Sequence, residues 1–196
     1  MKRSITMKRV SIVGLTSVAL LIGVVLGANL NGKASAADGF SPYVDTMGHI
    51  SLPKDFRSRF VHLGSWAVVD DRSSKGLHNV YTGRKIVERF RETGKFPDGA
   101  TLVKEILKLE SGELVTGHPV LWGSTPVRWF VMVKDAKGRF AGNPLWADGW
   151  GWALFTADDP KTNVAKSYEA DCKNCHTSAE KSDRVFIQGY PPLGSK

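Results

Sequence analysis

Cysteine is nearly absent from this chain: two thiols among 196 residues cannot staple a disulfide scaffold, so folding has to rest on a buried apolar core. There is no glycine-rich phosphate loop, no H-E-x-x-H helix and no Ser/His/Asp order, and nucleotide binding and hydrolysis are left without a basis in the sequence. Internal repeats and low-complexity linkers are missing as well. The formal charge is +8, yet residues 1–36 hold five basic residues (Lys2, Arg3, Lys8, Arg9, Lys33) and no acid, and the remainder carries 22 Lys and Arg against 19 Asp and Glu. A body so close to balance, with no basic stripe, is not built to track phosphates, so nothing recommends nucleic acid as a partner. With 42% hydrophobic residues, the chain is also too apolar to remain disordered.

The amino terminus reads as an address. Lys2, Arg3, Lys8 and Arg9 precede an uncharged apolar stretch from Val10 to Leu26, and Ala34-Ser35-Ala36 is a small-residue cleavage pattern. The stretch is longer than a typical signal core and just short of a comfortable membrane span, so residues 1–36 are a signal peptide or an uncleaved anchor. Either way the body is exported, with the bacterial periplasm as its destination. Residues 37–196 suffice for one sizeable core and are too few for two comfortable domains.

Within that body, Phe60–Val69, Leu77–Tyr81, Thr101–Leu109, Val127–Val133 and Gly151–Phe155 are rich in β-branched and aromatic residues and bounded by turn residues, and they predict strands. Thr82 is placed to cap a helix carrying Ile86, Val87 and Phe90, which Gly94 ends. After Pro160, Val164, Tyr168 and Cys172 recur every four residues, predicting a second helix with Cys175 and His176 one turn further along the same side. The expected fold is a single α+β domain, a mainly antiparallel β-sheet with a few short helices.

The informative motif is Cys172-Lys173-Asn174-Cys175-His176. Two thiols three residues apart can each add to a vinyl group of haem, and the next imidazole can reach the iron. Chance placement of these residues in this order has a frequency of roughly three in ten thousand. A disulfide, a redox pair and a zinc half-site are the competing readings. A redox pair normally opens a helix in a βαβ frame, and zinc needs two more ligands. The motif therefore assigns one covalent haem c, held by Cys172 and Cys175, with His176 as the proximal iron ligand. The sixth position then decides the chemistry: Met47, Met132, His49, His62, His78 and His118 are the Met and His candidates of the body. A ligand from any of them makes an electron carrier, whereas an open position admits a small molecule.

The order of further motifs resembles the cytochrome P-460 family, which includes the cytochromes c prime-beta. It comprises Pro53-Lys54-Asp55-Phe56, Asn79-Val80-Tyr81, Lys95-Phe96-Pro97-Asp98-Gly99, Leu102-Val103-Lys104-Glu105, Met132-Val133-Lys134-Asp135, Asp148-Gly149-Trp150-Gly151-Trp152, the haem motif, Asp183-Arg184-Val185-Phe186 and Tyr190-Pro191. The resemblance implies a homodimeric β-sheet protein with one five-coordinate haem. It would oxidise hydroxylamine or bind nitric oxide, with a cytochrome as redox partner where there is turnover. Lys104 matches the lysine that cytochromes P-460 join to the porphyrin edge. Leu102, Lys104 and Ile106 alternate onto one face, and an amine in apolar surroundings is more often the neutral nucleophile. The other reading of Lys104 is a solvated lysine like Lys108.

By register against Val133-Lys134-Asp135, Phe130 stands where hydroxylamine-oxidising members carry a distal glutamate. A phenyl ring excludes water and accepts no proton, which suits binding of a neutral diatomic. Arg128 and Met132 are expected on its strand face. His78 stands where the family often has an arginine and could move a proton in place of the missing acid. Trp122, Trp129, Trp146, Trp150 and Trp152 are expected in the sheet core, and Asp148-Gly149 in a turn.

Overall fold

The computed structural model describes residues 39–70 and 74–194. The leader, with its cleavage site and anchor alternative, lies outside the described residues. Among these, helix α1 (Phe56–Arg59) leads into β1 (Val61–Val68), β2 (Gly76–Thr82), α2 (Arg84–Thr93), β3 (Thr101–Leu114), β4 (Gly117–Lys134), β5 (Trp146–Ala147) and β6 (Trp150–Thr156). Two one-turn helices, α3 (Tyr168–Asp171) and α4 (Lys173–His176), and short 3-10 turns complete the chain. The strands form one antiparallel sheet in the order β1-β2-β3-β4-β6-β5. The expected α+β class is the observed one.

Strand alternation splits the apolar residues into two cores, one on each face of the sheet. Val80, Leu102, Met132 and Trp152 project to the first face, where α2 adds Val87 and Phe90 and the carboxy-terminal segment adds Tyr168, Val185, Tyr190 and Leu193. Val103, Trp129, Val131, Val133 and Phe155 project to the second face and pack on Val44, Ile50 and Phe56. The carboxy-terminal segment sits very close to the sheet at Gly64. A Cβ there would lie 1.9 Å from the carbonyl oxygen of Gly189, so only glycine permits the approach.

Several local expectations are corrected. Gly94 does end α2 in a left-handed conformation, φ 70°, but Gly83 occupies its N-cap, because the Thr82 hydroxyl instead donates to the carbonyl of Thr101 at 2.7 Å. The helix expected after Pro160 does not begin until Tyr168. Asn163 Oδ1 accepts from Leu154 N and Ala165 N, and Val164 N donates to Leu154 O, so the chain runs extended along β6 with Val164 exposed. Ser167 caps α3 through Ala170 N, and the backbone kinks at Cys172 (φ −127°, ψ −40°), so Cys172 and His176 do not continue one helix face from Tyr168.

Strands β3 and β4 also run further than their composition suggests. Beyond Leu107 and before Arg128 they pair only with each other, as a ribbon that exposes Leu114, Val115, Leu121 and Trp122. Its glycines and prolines are poor strand formers. The ribbon persists through cross-strand contacts, among them the Trp122 ring lying over Gly112.

On the second face the Glu105 side chain is 1% exposed. It accepts from both Nε and Nη2 of Arg57, and from Trp129 Nε1 at 3.0 Å. Arg57→Ala strands that carboxylate and is expected to lower stability by about 2–3 kcal/mol in urea unfolding, discounted because Arg57 itself is half-exposed. Glu105→Gln keeps an acceptor for Trp129 and releases a guanidinium to water, so its loss should be clearly smaller. Equal losses would refute this account of the pair.

Candidate haem site

Cys172 is half-buried against the first core, Cys175 is exposed, and both thiols are free. Burial, with Asp171 and Cys175 adding to it, pushes the Cys172 thiol up to about 12. A redox Cys-x-x-Cys pair needs the opposite, a depressed thiol, so this environment argues against that reading of the motif. Among the described residues no group of three or more His, Cys, Asp or Glu side chains is placed to hold a metal ion, so the pair has no neighbours with which to complete a zinc site.

His176 follows on α4. Its Nδ1–H donates to the carbonyl of Arg184 at 2.7 Å, which leaves the lone pair of Nε2 free to bind a metal. Burial is the main influence holding this imidazole below the ordinary histidine range. The Arg184 carbonyl opposes it, and the charges of Lys104 and Arg184 reinforce it. Trp152 meets the ring edge-on at 4.6 Å, and Phe186 lies 5.6 Å away. The imidazole is thus neutral, oriented and enclosed by aromatic surface.

The first face of the sheet supplies the opposing wall. Val80, Lys104, Phe130 and Leu154 form one cross-strand row, and His78, Ile106 and Arg128 form the next. The expected sharing of one face by Leu102, Lys104, Ile106, Arg128, Phe130 and Met132 follows from this register. Lys104 Nζ lies 5.6 Å from the ring centroid of Trp66 and 5.3 Å from that of Phe130. Burial lowers its affinity for a proton, Arg128 adds to that, and Cys175 opposes it. Lys104 is therefore no solvated lysine, in contrast to Lys108, which is exposed and paired with Glu110 at 2.7 Å.

His78 is 2% exposed. Its Nε2–H donates to Ser74 O at 2.6 Å, and its Nδ1 is buried with no partner. Burial keeps it below the ordinary histidine range, and Lys104 and Arg128 push the same way. Met132 is the other potential sixth ligand on this face, packed in the first core. Met47 is exposed, and His49, His62 and His118 are held elsewhere by Asp45, Ser65 and Glu113.

These residues fit a haem. Two free thiols and an oriented imidazole nitrogen face an apolar wall of Trp66, Val80, Phe130 and Trp152. The Arg128 side chain, for which no hydrogen bond or ion pair is found among the described residues, could receive a haem carboxylate. The family model Cytochrome P460 matches residues 53–187, a span that includes every strand of the sheet and the whole Cys-x-x-Cys-His motif. The chain belongs to the cytochrome P460 family. It is accordingly a haem-binding cytochrome, as the motif order implied. A search of curated proteins found no match.

Two parts of this cytochrome's site escaped the sequence reading. Trp66 covers both Lys104 and His78, whose rings or charge it meets at 5.6 and 5.2 Å. Its alternation with Gly64 on β1 was the available signal. Arg184 acts on His176 through a backbone carbonyl, for which side-chain identity gives no signal at all. Of the tryptophans, Trp129, Trp146, Trp150 and Trp152 are core as expected, whereas Trp122 is 39% exposed. Two cavities, about 310 Å³ beside Tyr43 and Phe56 and about 190 Å³ beside Asp135 and Trp150, lie away from the thiols.

The His78 environment generates a prediction. Its protonated form is disfavoured in the folded state, so stability should fall as pH drops below the unfolded value near 6.5 and be retained above it. Ring NMR is expected to report the neutral Nε2–H tautomer at pH 6.5, and a midpoint at or above that value would contradict the assignment.

Proposed function

We propose that this cytochrome is an exported, periplasmic protein carrying one haem c, attached through Cys172 and Cys175 and ligated by His176. Its distal side is open, bounded by Phe130, and binds small nitrogen species such as nitric oxide. The observation that carries the reading is the tautomer of His176: Nδ1–H is spent on Arg184, so Nε2 is the metal-binding atom. A phenyl ring, Phe130, shares the row of Lys104 on the wall it faces. Bound haem supplies a redox-active iron. The chain's residues hold and orient it, and Trp66, Phe130 and Trp152 keep water from it. Lys104 is half-buried, and burial lowers its affinity for a proton, which raises the share of the neutral, nucleophilic amine that a bond to the porphyrin edge requires.

A second reading, hydroxylamine oxidation, is favoured by one observation. No carboxylate takes part in the Lys104 row or in the His78 row, but the unpartnered Nδ1 of His78 is a proton acceptor on that face. In this reading Lys104 is the cross-linked residue, and a partner cytochrome removes the electrons. For either reading a second copy of the chain is the proposed partner of the β3–β4 ribbon, whose exposed apolar side chains an isolated hairpin would not keep in water.

The test begins with holoprotein, whose intact mass should show one haem retained under denaturing conditions. Ferric and ferrous spectra are expected to show high-spin iron that takes up nitric oxide. Low-spin iron that refuses it, through a bond from His78 or Met132, would reduce the protein to an electron carrier and overturn the proposal. A red-shifted ferrous band lost in Lys104→Ala would establish the cross-link, and an unshifted band in wild type would dismiss it. If the protein turns over hydroxylamine, His78→Ala should lower acceptor reduction by about a hundredfold while leaving nitric oxide uptake intact. In sedimentation, Trp122→Lys is expected to convert a dimer to monomer, and wild type that sediments as a monomer would exclude the homodimer.

A further inference from the structure

The carbonyl that receives the His176 proton belongs to an unusual piece of backbone. Asp183 and Arg184 are consecutive non-glycine residues in the left-handed region, φ 57° and 66°, a conformation that disfavours any residue with a Cβ. Something outside the turn must hold it. The Trp150 indole donates to the carbonyl of Asp183 at 2.9 Å, and Lys134 Nζ donates to the Asp183 carboxylate at 2.6 Å. Arg184 N donates to Ala179 O at 2.8 Å. The Arg184 side chain is held by Asp148, in an ion pair with 2.8 Å between Nη2 and Oδ2. Its other acid contact, Glu180, is at the limit of hydrogen bonding at 3.5 Å, and its Nη1 is buried without a partner.

Asp148 is itself fixed. With Gly149 it forms the two-residue turn between β5 and β6, both residues at positive φ, 54° and 78°, as a type I′ hairpin requires. The same Oδ2 accepts the Tyr168 hydroxyl at 2.6 Å, and Tyr168 opens the α3 turn just before Cys172. Asp148 therefore ties the segment before the haem motif to the turn after it.

We infer that Asp148 is a positioning residue for the proximal ligand: by anchoring Arg184 it fixes the carbonyl that orients His176 and makes its imidazole a stronger donor. This rests on the reading of His176 as iron ligand. A hydrogen bond to the outer nitrogen of a ligating imidazole raises its basicity and favours the more highly charged metal. Releasing the carbonyl then favours ferrous iron and weakens the iron–imidazole bond.

The test uses wild type, Asp148→Asn, Arg184→Gln and Tyr168→Phe holoproteins, each checked for covalent haem by mass. Redox titration should show a ferrous to ferric ratio about tenfold higher at a fixed ambient potential in Asp148→Asn, a midpoint shift of about 59 mV for one electron. The iron–imidazole stretch of the ferrous protein should move to lower frequency. Arg184→Gln leaves the backbone carbonyl in place and is expected to give both changes, so it decides the matter if Asp148→Asn yields no holoprotein. Tyr168→Phe spares the ion pair but removes one hydrogen bond that fixes Asp148, so it should give smaller changes than either of those variants, and changes as large would overturn the ion pair as the anchor. Covalent haem with an unchanged midpoint and stretch in Asp148→Asn or, failing that variant, in Arg184→Gln would overturn the proposal. Failure of the underlying reading is distinct, because wild type would then lack the iron–imidazole stretch.

Discussion

Strand alternation sends Lys104 and Glu105, neighbours in sequence, to opposite faces of a sheet that is buried on both sides. Each charge then meets a different environment. Glu105 finds Arg57 and the Trp129 indole, and it serves stability. Lys104 finds the rings of Trp66 and Phe130 and, across from them, the thiol and imidazole of the haem motif. A one-residue change of register would exchange the two. The distinction between a structural face and a chemical face is thus set by the pairing of β2, β3 and β4.

The two sides of the site are made from different materials. The wall of the sheet is built of side chains whose placement follows from period-two patterning, rigid because each strand is paired. The side that carries His176 is a loop, and the main-chain oxygen that meets this imidazole is held in a left-handed turn by ion pairs to β4 and to the β5–β6 turn. Both depend on the sheet, since Lys134, Asp148 and Trp150 all come from strands or the turn between them. The carboxy-terminal segment is consequently positioned by the same element that supplies its opposing wall.

This difference explains what could be read from the chain. The thiol spacing of Cys172 and Cys175, the imidazole next to them and the alternation of Leu102, Lys104 and Ile106 are local patterns, and each was legible. Gly94 was legible as a helix stop because glycine adopts its left-handed conformation at the least cost. Thr82 misled, since a cap signal is local whereas its hydroxyl answers to Thr101, nineteen residues away. The periodicity of Val164, Tyr168 and Cys172 misled for a related reason: Asn163 bonds to β6 and holds the chain extended where a helix pattern exists. The ribbon beyond Leu109 was missed because its stability comes from pairs such as Trp122 over Gly112, which composition does not record. Arg184 could not be found from side chains because it acts through its backbone.

The unequal exposure of the two thiols bears on biogenesis. Cys172 packs against the first core while Cys175 stays open to solvent. On the proposed attachment through both thiols, a maturation enzyme would have to reach Cys172 before the carboxy-terminal segment docks, so attachment and final closure would be competing events. In that case a chain that closed early would fold without its cofactor.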